Sequence, residues 1–189
     1  MRRIVAFDNV SADGFFSDLE GSLDWATPDP EVNAYVMGQG APVDTALFGR
    51  VTYEHFEAFW PRAAENASLP ADLRAFADSL GAMTKIVYST TRRGVTWKNS
   101  RIEPVLRAAD VAQLKRAPGG DIIVFGSGSI VSALADHGLI DEFQFVVNPV
   151  YLGQGKSLLA TSKKHASLRL LDAKPFASGN LLLRYAPAP

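Results

Sequence analysis

Three short stretches of the chain combine glycine, hydroxyl and guanidinium groups in orders that suit phosphate. The most informative is Gly126-Ser127-Gly128-Ser129-Ile130, which follows the unbroken apolar run Ile122-Ile123-Val124-Phe125. Such a run reads as a strand covered on both faces. Gly126 and Gly128 let the backbone turn sharply and allow a ligand to come close. Ser129 suits the N-cap of the helix that follows. The free N–H groups and positive dipole end of such a helix favour phosphate. The same residues also suit a tight strand-to-helix turn with no ligand. Val131 stands where G-x-G-x-x-G needs its third glycine, and no Gly-Lys-Ser/Thr follows. The Rossmann fingerprint and the P-loop are therefore both absent.

The second stretch is Leu47-Phe48-Gly49-Arg50-Val51-Thr52-Tyr53-Glu54, a strand running through glycine into a helix. The planar fork of Arg50 can contact a phosphate, and Thr52 can bond one or cap the helix. A surface arginine beside an ordinary cap is the other reading. The third stretch is Val87 to Gly94, where a strand ends in Ser89 and Thr90 before the cations Arg92 and Arg93. Hydroxyls and cations at a strand end suit a ribose 2′-phosphate, which points to NADPH over NADH. A solvated turn would look the same. In an open α/β sheet, ligands collect at the carboxyl ends of strands, so three such turns together weigh more than any one.

The elements that must position these turns alternate along the chain. Strands are expected at Arg3–Val10, Thr45–Phe48, Lys85–Ser89, Ile102–Val105, Asp121–Phe125, Glu142–Asn148, Ser167–Ala173 and Asn180–Tyr185. Helices are expected to open at Pro28-Asp29-Pro30-Glu31 with Asp29 as cap, and over Thr52–Phe59, Pro70–Leu80 (stopped by Gly81), Ala109–Arg116 and from Ser129 to the stop at Gly138. Ser11 to Thr27 forms a long loop of the kind that carries function. Early strand–helix alternation followed by consecutive strands predicts a mostly parallel sheet with an antiparallel C-terminal edge and flanking helices. The Ala186-Pro187-Ala188-Pro189 end reads as a frayed tail.

Bulk composition narrows the function classes. The 189 residues fit one domain with a sizeable core. A net charge of -1 gives no basic field for nucleic acid or anionic membrane. No run is long enough to span a bilayer, and no signal peptide is expected. The absence of cysteine excludes disulfides and thiol chemistry and fits the cytoplasm. His55, His137 and His165 lack metal-ligand spacing, so no metal is expected. Gly126-Ser-Gly-Ser is not a nucleophile elbow.

In order and spacing, Val10-Ser-Ala-Asp-Gly14, Leu23-Asp24-Trp25, Leu47–Glu54, Ile86-Val-Tyr-Ser-Thr90 and Ile123–Ser129 resemble the dihydrofolate reductase-like proteins. The resemblance is closest to the branch holding the reductase domain of the riboflavin-biosynthesis deaminase-reductase, and it covers nearly the whole chain. It implies a three-layer α/β/α fold with a sheet of about eight strands and an NADPH across the strand ends. By the same resemblance, Gly49, Arg50, Val51 and Thr52 hold cofactor phosphates. Ser89 and Thr90 lie near the adenosine ribose, with Arg92 or Arg93 on its 2′-phosphate. Gly126 through Ile130 form the pyrophosphate turn. Ala6, Ser11 and Gly14 approach the nicotinamide and its mobile loop. The loop Tyr151–Gly155 packs near the cofactor turn or against a second subunit of a homodimer.

The resemblance implies a hydride transfer to a small heterocycle, most like 5-amino-6-(5-phosphoribosylamino)uracil. The alternatives are dihydrofolate reduction and a catalytically silent NADPH-binding module. A reductase needs a proton near the carbon that receives hydride. Asp24 is the first candidate, because the indole of Trp25 beside it would partly desolvate it. Matching Trp25 to the family's tryptophan places Pro30 where folate reductases carry an acid, with Asp29 and Glu31 on either side. Trp25, Phe56, Phe59 and Trp60 either stack on a flat ligand or belong to the core.

Overall fold

A computed structural model describes residues 1–26, 29–37 and 42–188. In chain order the elements are β1 (Ile4–Ser11), α1 (Pro30–Met37), β2 (Val43–Gly49), α2 (Arg50–Glu65), α3 (Ala71–Ala82), β3 (Thr84–Tyr88), β4 (Ser100–Glu103), α4 (Ala108–Arg116), β5 (Asp121–Phe125), α5 (Gly128–Asp136), β6 (Glu142–Asn148), β7 (Leu168–Pro175) and β8 (Leu181–Pro187). They form one 8-stranded sheet in the order β4-β3-β2-β5-β1-β6-β8-β7. All pairs from β4 to β6 are parallel, and β8 pairs antiparallel with β6 and with β7. This is the expected sheet with its antiparallel C-terminal edge.

The alternation of side chains along each strand divides the core into layers. Ile4, Ala6, Leu47, Ile122 and Val124 face one way and bury Val111 of α4 with Val131 and Leu134 of α5. Ala46, Phe48, Ile123 and Phe125 face the other way and bury Tyr53 of α2 and Leu80 of α3. Strand β5 is buried at every position, which is why its sequence reads as a continuous apolar run. Val32 of α1 joins Val146, Phe176 and Leu182 in a third, smaller cluster.

Four expectations about element ends need correction. Helix α2 begins at Arg50 and runs through Pro61 to Glu65. A proline inside a helix costs about 3 kcal/mol, but ending there would forfeit the burial of Ala63. Helix α3 does not stop at Gly81. It continues to Ala82, and the Lys85 ammonium donates to the carbonyls of Leu80, Gly81 and Met83 at its end. Helix α5 starts at Gly128 with Ser127 in the capping position, so Ser129 lies inside the first turn rather than capping it. The C-terminal end does not fray from Ala186. Pro187 pairs with Leu168, and the Ala188 N–H donates to the Ser167 carbonyl at 2.9 Å.

Candidate functional site

Strands β2 and β5 are adjacent and parallel, so the turns at their carboxyl ends stand side by side. Gly126 has φ +54, a left-handed conformation that glycine adopts at little cost. Ser127 follows with φ 61 and ψ 77, and its side chain makes no bond to its own helix. Instead its hydroxyl accepts from the Gly49 N–H at 2.8 Å and shares a hydrogen bond with the Thr52 hydroxyl at 2.9 Å. A Cβ on Gly49 would sit 2.5 Å from that hydroxyl, so the two turns can meet only because residue 49 has no side chain. Gly128 and Ser129 open α5, and their N–H groups have no partner within the helix.

These turns form one wall of a cleft of about 1410 Å³. That exceeds the 300–1,000 Å³ typical of a single small-ligand site, so there is room for a dinucleotide and a second ligand. Gly49, Arg50, Val51 and Thr52 line it, as do Ser89, Thr90 and the residues Gly126 to Ile130. Asp24 and Asp29 line it as well. Phe56, Phe59 and Trp60 also line it, while Phe56 and Trp60 pack on the α2 face of the core. Phe56 and Trp60 therefore belong to the core and also face the cleft, whereas Phe59 is 51% exposed.

Other predicted residues lie elsewhere. Ala6 is fully buried between β5 and β6. The Ser11 hydroxyl donates to Asp13 at 2.6 Å and accepts from the Phe15 N–H, and Gly14 forms the following bend. None of the three lines the cleft. Arg92 ion-pairs with Glu54 and Glu57 and its guanidinium lies 5.0 Å from the Tyr53 ring centre. Its charge is therefore engaged within the α2 surface. Arg93 is exposed and does not line the cleft. Arg50 does line it, and pairs with Glu54 at 2.8 Å. Trp25 turns its indole N–H to the Ser22 carbonyl, and Glu31 is exposed on α1. Neither is part of the cleft wall.

The carboxyls have different fates. Burial works against the Asp29 anion, but hydrogen bonds from Ser178, Asn180, and the Val32 and Glu31 N–H groups outweigh it and hold the carboxyl below its ordinary range. Asp29 thus caps α1 as expected and ties it to the β7–β8 turn. It is a stable anion rather than a proton donor. Asp24 is exposed at the cleft rim.

Asp8 was not singled out from the sequence, although a carboxylate interrupting the apolar first strand is a visible signal. It lines the cleft, is 3% exposed, and neither of its oxygens has a hydrogen-bond partner among the described residues. Burial pushes its carboxyl up to about 8, while the nearby Gly126 N–H pulls the other way without reaching hydrogen-bond geometry. Asn180, buried on the C-terminal hairpin, also lines the cleft. Its position beside the site comes from the pairing of β8 with β6, which no local sequence pattern encodes.

The Tyr151–Gly155 loop begins at the surface and leads into a segment that meets the turn before α5. Tyr151 is 81% exposed, while the adjoining Leu158 carbonyl lies 2.7 Å from where a Gly128 Cβ would be. The segment after the loop therefore packs on the turn that opens α5.

Comparison with known proteins places this geometry in a family. The protein YyaP of Bacillus subtilis (strain 168) is 28% identical over 185 residues, covering 97% of this chain and 94% of the relative. A structure from Shewanella sp. PV-4, assigned by name to riboflavin biosynthesis, has a TM-score of 0.72 at 20% identity and 99% coverage of both chains. Dihydrofolate reductase from Enterococcus faecalis, complexed with NADP(H), has a TM-score of 0.64 at 13% identity, covering 99% of this chain and 97% of that one. These two structures establish the dihydrofolate reductase-like fold. The model of the RibD C-terminal domain family matches residues 2–182, and the chain belongs to that family.

Proposed function

We propose that this chain is a reductase that holds NADPH across the ends of β2, β3 and β5 and reduces a small, flat heterocycle. The observation that carries the reading is the Ser127 bridge, which joins two glycine turns into one wall of a cleft large enough for two ligands. The N–H groups of Gly128 and Ser129 bind the pyrophosphate. Ser89, Thr90 and Arg50 hold the adenosine ribose and its 2′-phosphate. This moves the 2′-phosphate role from Arg92, which pairs with Glu54 and Glu57 and does not line the cleft, to Arg50, which pairs with Glu54 alone and does line it. NADPH, when bound, supplies the hydride. Ile130, Phe56 and Trp60 exclude water from the ring-binding side, and Asn180 is a polar contact there.

The substrate class closest to this reading is 5-amino-6-(5-phosphoribosylamino)uracil. Folate reduction is disfavoured, because Asp29, next to the position of the family's helix acid, is spent on capping α1. A homodimer using the exposed Tyr151 loop, in the cytoplasm, completes the reading. Titration with NADPH, followed through the fluorescence of Trp60 in the cleft, tests it. Saturable quenching in the micromolar range is expected, followed by NADPH oxidation with one member of a pyrimidine and pterin panel. No quenching at high micromolar NADPH overturns it.

A further inference from the structure

Asp8 lies within β1, the strand between β5 and β6 at the centre of the sheet, one residue beyond its last pair with β5, Phe7 with Phe125. One of its oxygens lies 3.8 Å from the point where a Gly126 Cβ would be, so it faces the turn that opens α5. Both oxygens are buried and unpartnered among the described residues. Burying a carboxyl without a partner costs several kcal/mol, so such groups are normally bonded or kept for a ligand. No basic side chain among the described residues pairs with it. The other ionisable groups lining the cleft are Glu20, Asp24, Asp29, Arg50, His55, Tyr88 and Lys156.

Two features favour the neutral form of Asp8. It lacks a countercharge, and it adjoins a turn whose N–H groups suit a phosphate, where a second anion would compete. A neutral carboxyl presents one O–H donor beside one carbonyl acceptor. That pair complements a group with an adjacent C=O and N–H on one edge, closing a ring of two hydrogen bonds. Lactams of pyrimidines and pterins have this edge, and so does a primary carboxamide.

We propose that Asp8 is a ligand-recognition residue that reads an amide edge, donating to its carbonyl oxygen and accepting from its N–H. The inference rests on the reductase reading for where the ligand lies. The amide belongs either to the heterocyclic substrate or to the carboxamide of the nicotinamide ring.

The test is fluorescence titration at about pH 6, where Asp8 is protonated, with two ligand pairs. One pair is lumazine and its 1,3-dimethyl derivative, in which no N–H adjoins a ring carbonyl. The other is NADPH and its reduced 3-acetylpyridine analogue, which keeps the carbonyl and lacks the amide N–H. In the wild-type protein, one amide ligand is expected to bind about tenfold tighter than its counterpart. That preference should shrink below about threefold in Asp8→Leu and persist in Asp8→Asn, which still offers a donor and an acceptor. Loss in the lumazine pair assigns the edge to the substrate, and loss in the NADPH pair assigns it to the cofactor. Equal affinities within both pairs in the wild type overturn the proposal, even where a variant does not fold. So does a preference that survives Asp8→Leu. Wild-type protein that ignores NADPH yet discriminates the lumazine pair overturns the reductase reading and leaves Asp8 its role.

Discussion

The Ser127 hydroxyl accepts a hydrogen bond from the Gly49 N–H at 2.8 Å, fastening the turn after β5 to the turn after β2. Residue 127 adopts a left-handed backbone to do this, a conformation that costs a non-glycine residue about 1 kcal/mol or more. The bond sets the spacing of the proposed phosphate wall.

Ser127→Ala leaves the N–H of the buried Gly49 without its partner. A loss of about 1–2 kcal/mol in unfolding free energy is expected, with NADPH affinity falling about tenfold as the turns separate. Gly49→Ala should be worse, because its Cβ would strike Ser127 at 2.5 Å. Adding Ser127→Gly to Gly49→Ala should recover part of the lost stability, since it removes the clash and suits the positive φ. Urea unfolding of the single and double variants reads this directly.

Asp8 gives stability an unusual pH dependence. Its folded value of about 8 lies above the ordinary 3.8, so the folded state holds the proton more tightly than the unfolded state. The contribution is fully present below the ordinary value and is lost as pH rises toward 8, at up to about 1.4 kcal/mol per pH unit. Asp8→Asn should therefore flatten the stability profile between about pH 5 and 8 and melt higher than wild type at the alkaline end. Urea titrations at both ends of this window check it. Parallel slopes for the two proteins would count against a buried, protonated Asp8.

Glu57 has the opposite sign. Burial alone would raise its carboxyl, but the Thr96 N–H and hydroxyl, the Trp97 N–H and the Tyr53 hydroxyl hold it down at about 2. Its contribution is present above the ordinary 4.5 and is lost as pH falls toward 2. Glu57→Gln should cost about 2–3 kcal/mol at neutral pH and lose less further stability than wild type as pH falls from 4.5 toward 2. Circular dichroism against pH gives both numbers.

The cations near the adenosine end should separate by role. Arg50→Ala is expected to weaken NADPH binding about tenfold and NADH binding much less. Arg92→Ala should lower the melting temperature while leaving the ratio of the two affinities near its original value, because that guanidinium bridges Glu54 and Glu57 away from the cleft lining. Parallel titrations with the two nucleotides distinguish these outcomes.

The strand–helix order was legible because burial on both faces leaves runs such as Ile122–Phe125, and because Gly126 and Gly138 mark positions of positive φ. The cleft turns were legible for the same reason, since close backbone approach leaves glycine behind. What could not be read was anything decided by distant partners. Arg92 looked available until Glu57, 35 residues away, was seen to hold it. Asp29 looked like a catalytic acid until Ser178 and Asn180 arrived from the C-terminal hairpin to bond it. Asp8 was visible as a charge within a strand, but only the neighbours of β1 show that both its oxygens are buried.

The central place of β1 also bears on how the chain is made. It leaves the ribosome well before its partners β5 and β6, which follow more than a hundred residues later. Such non-local pairing slows folding. Until those strands arrive, Asp8 is hydrated and ionised at neutral pH. Its burial then draws a proton from the medium, so folding of this chain should be slightly basifying, and unfolding at neutral pH should release that proton.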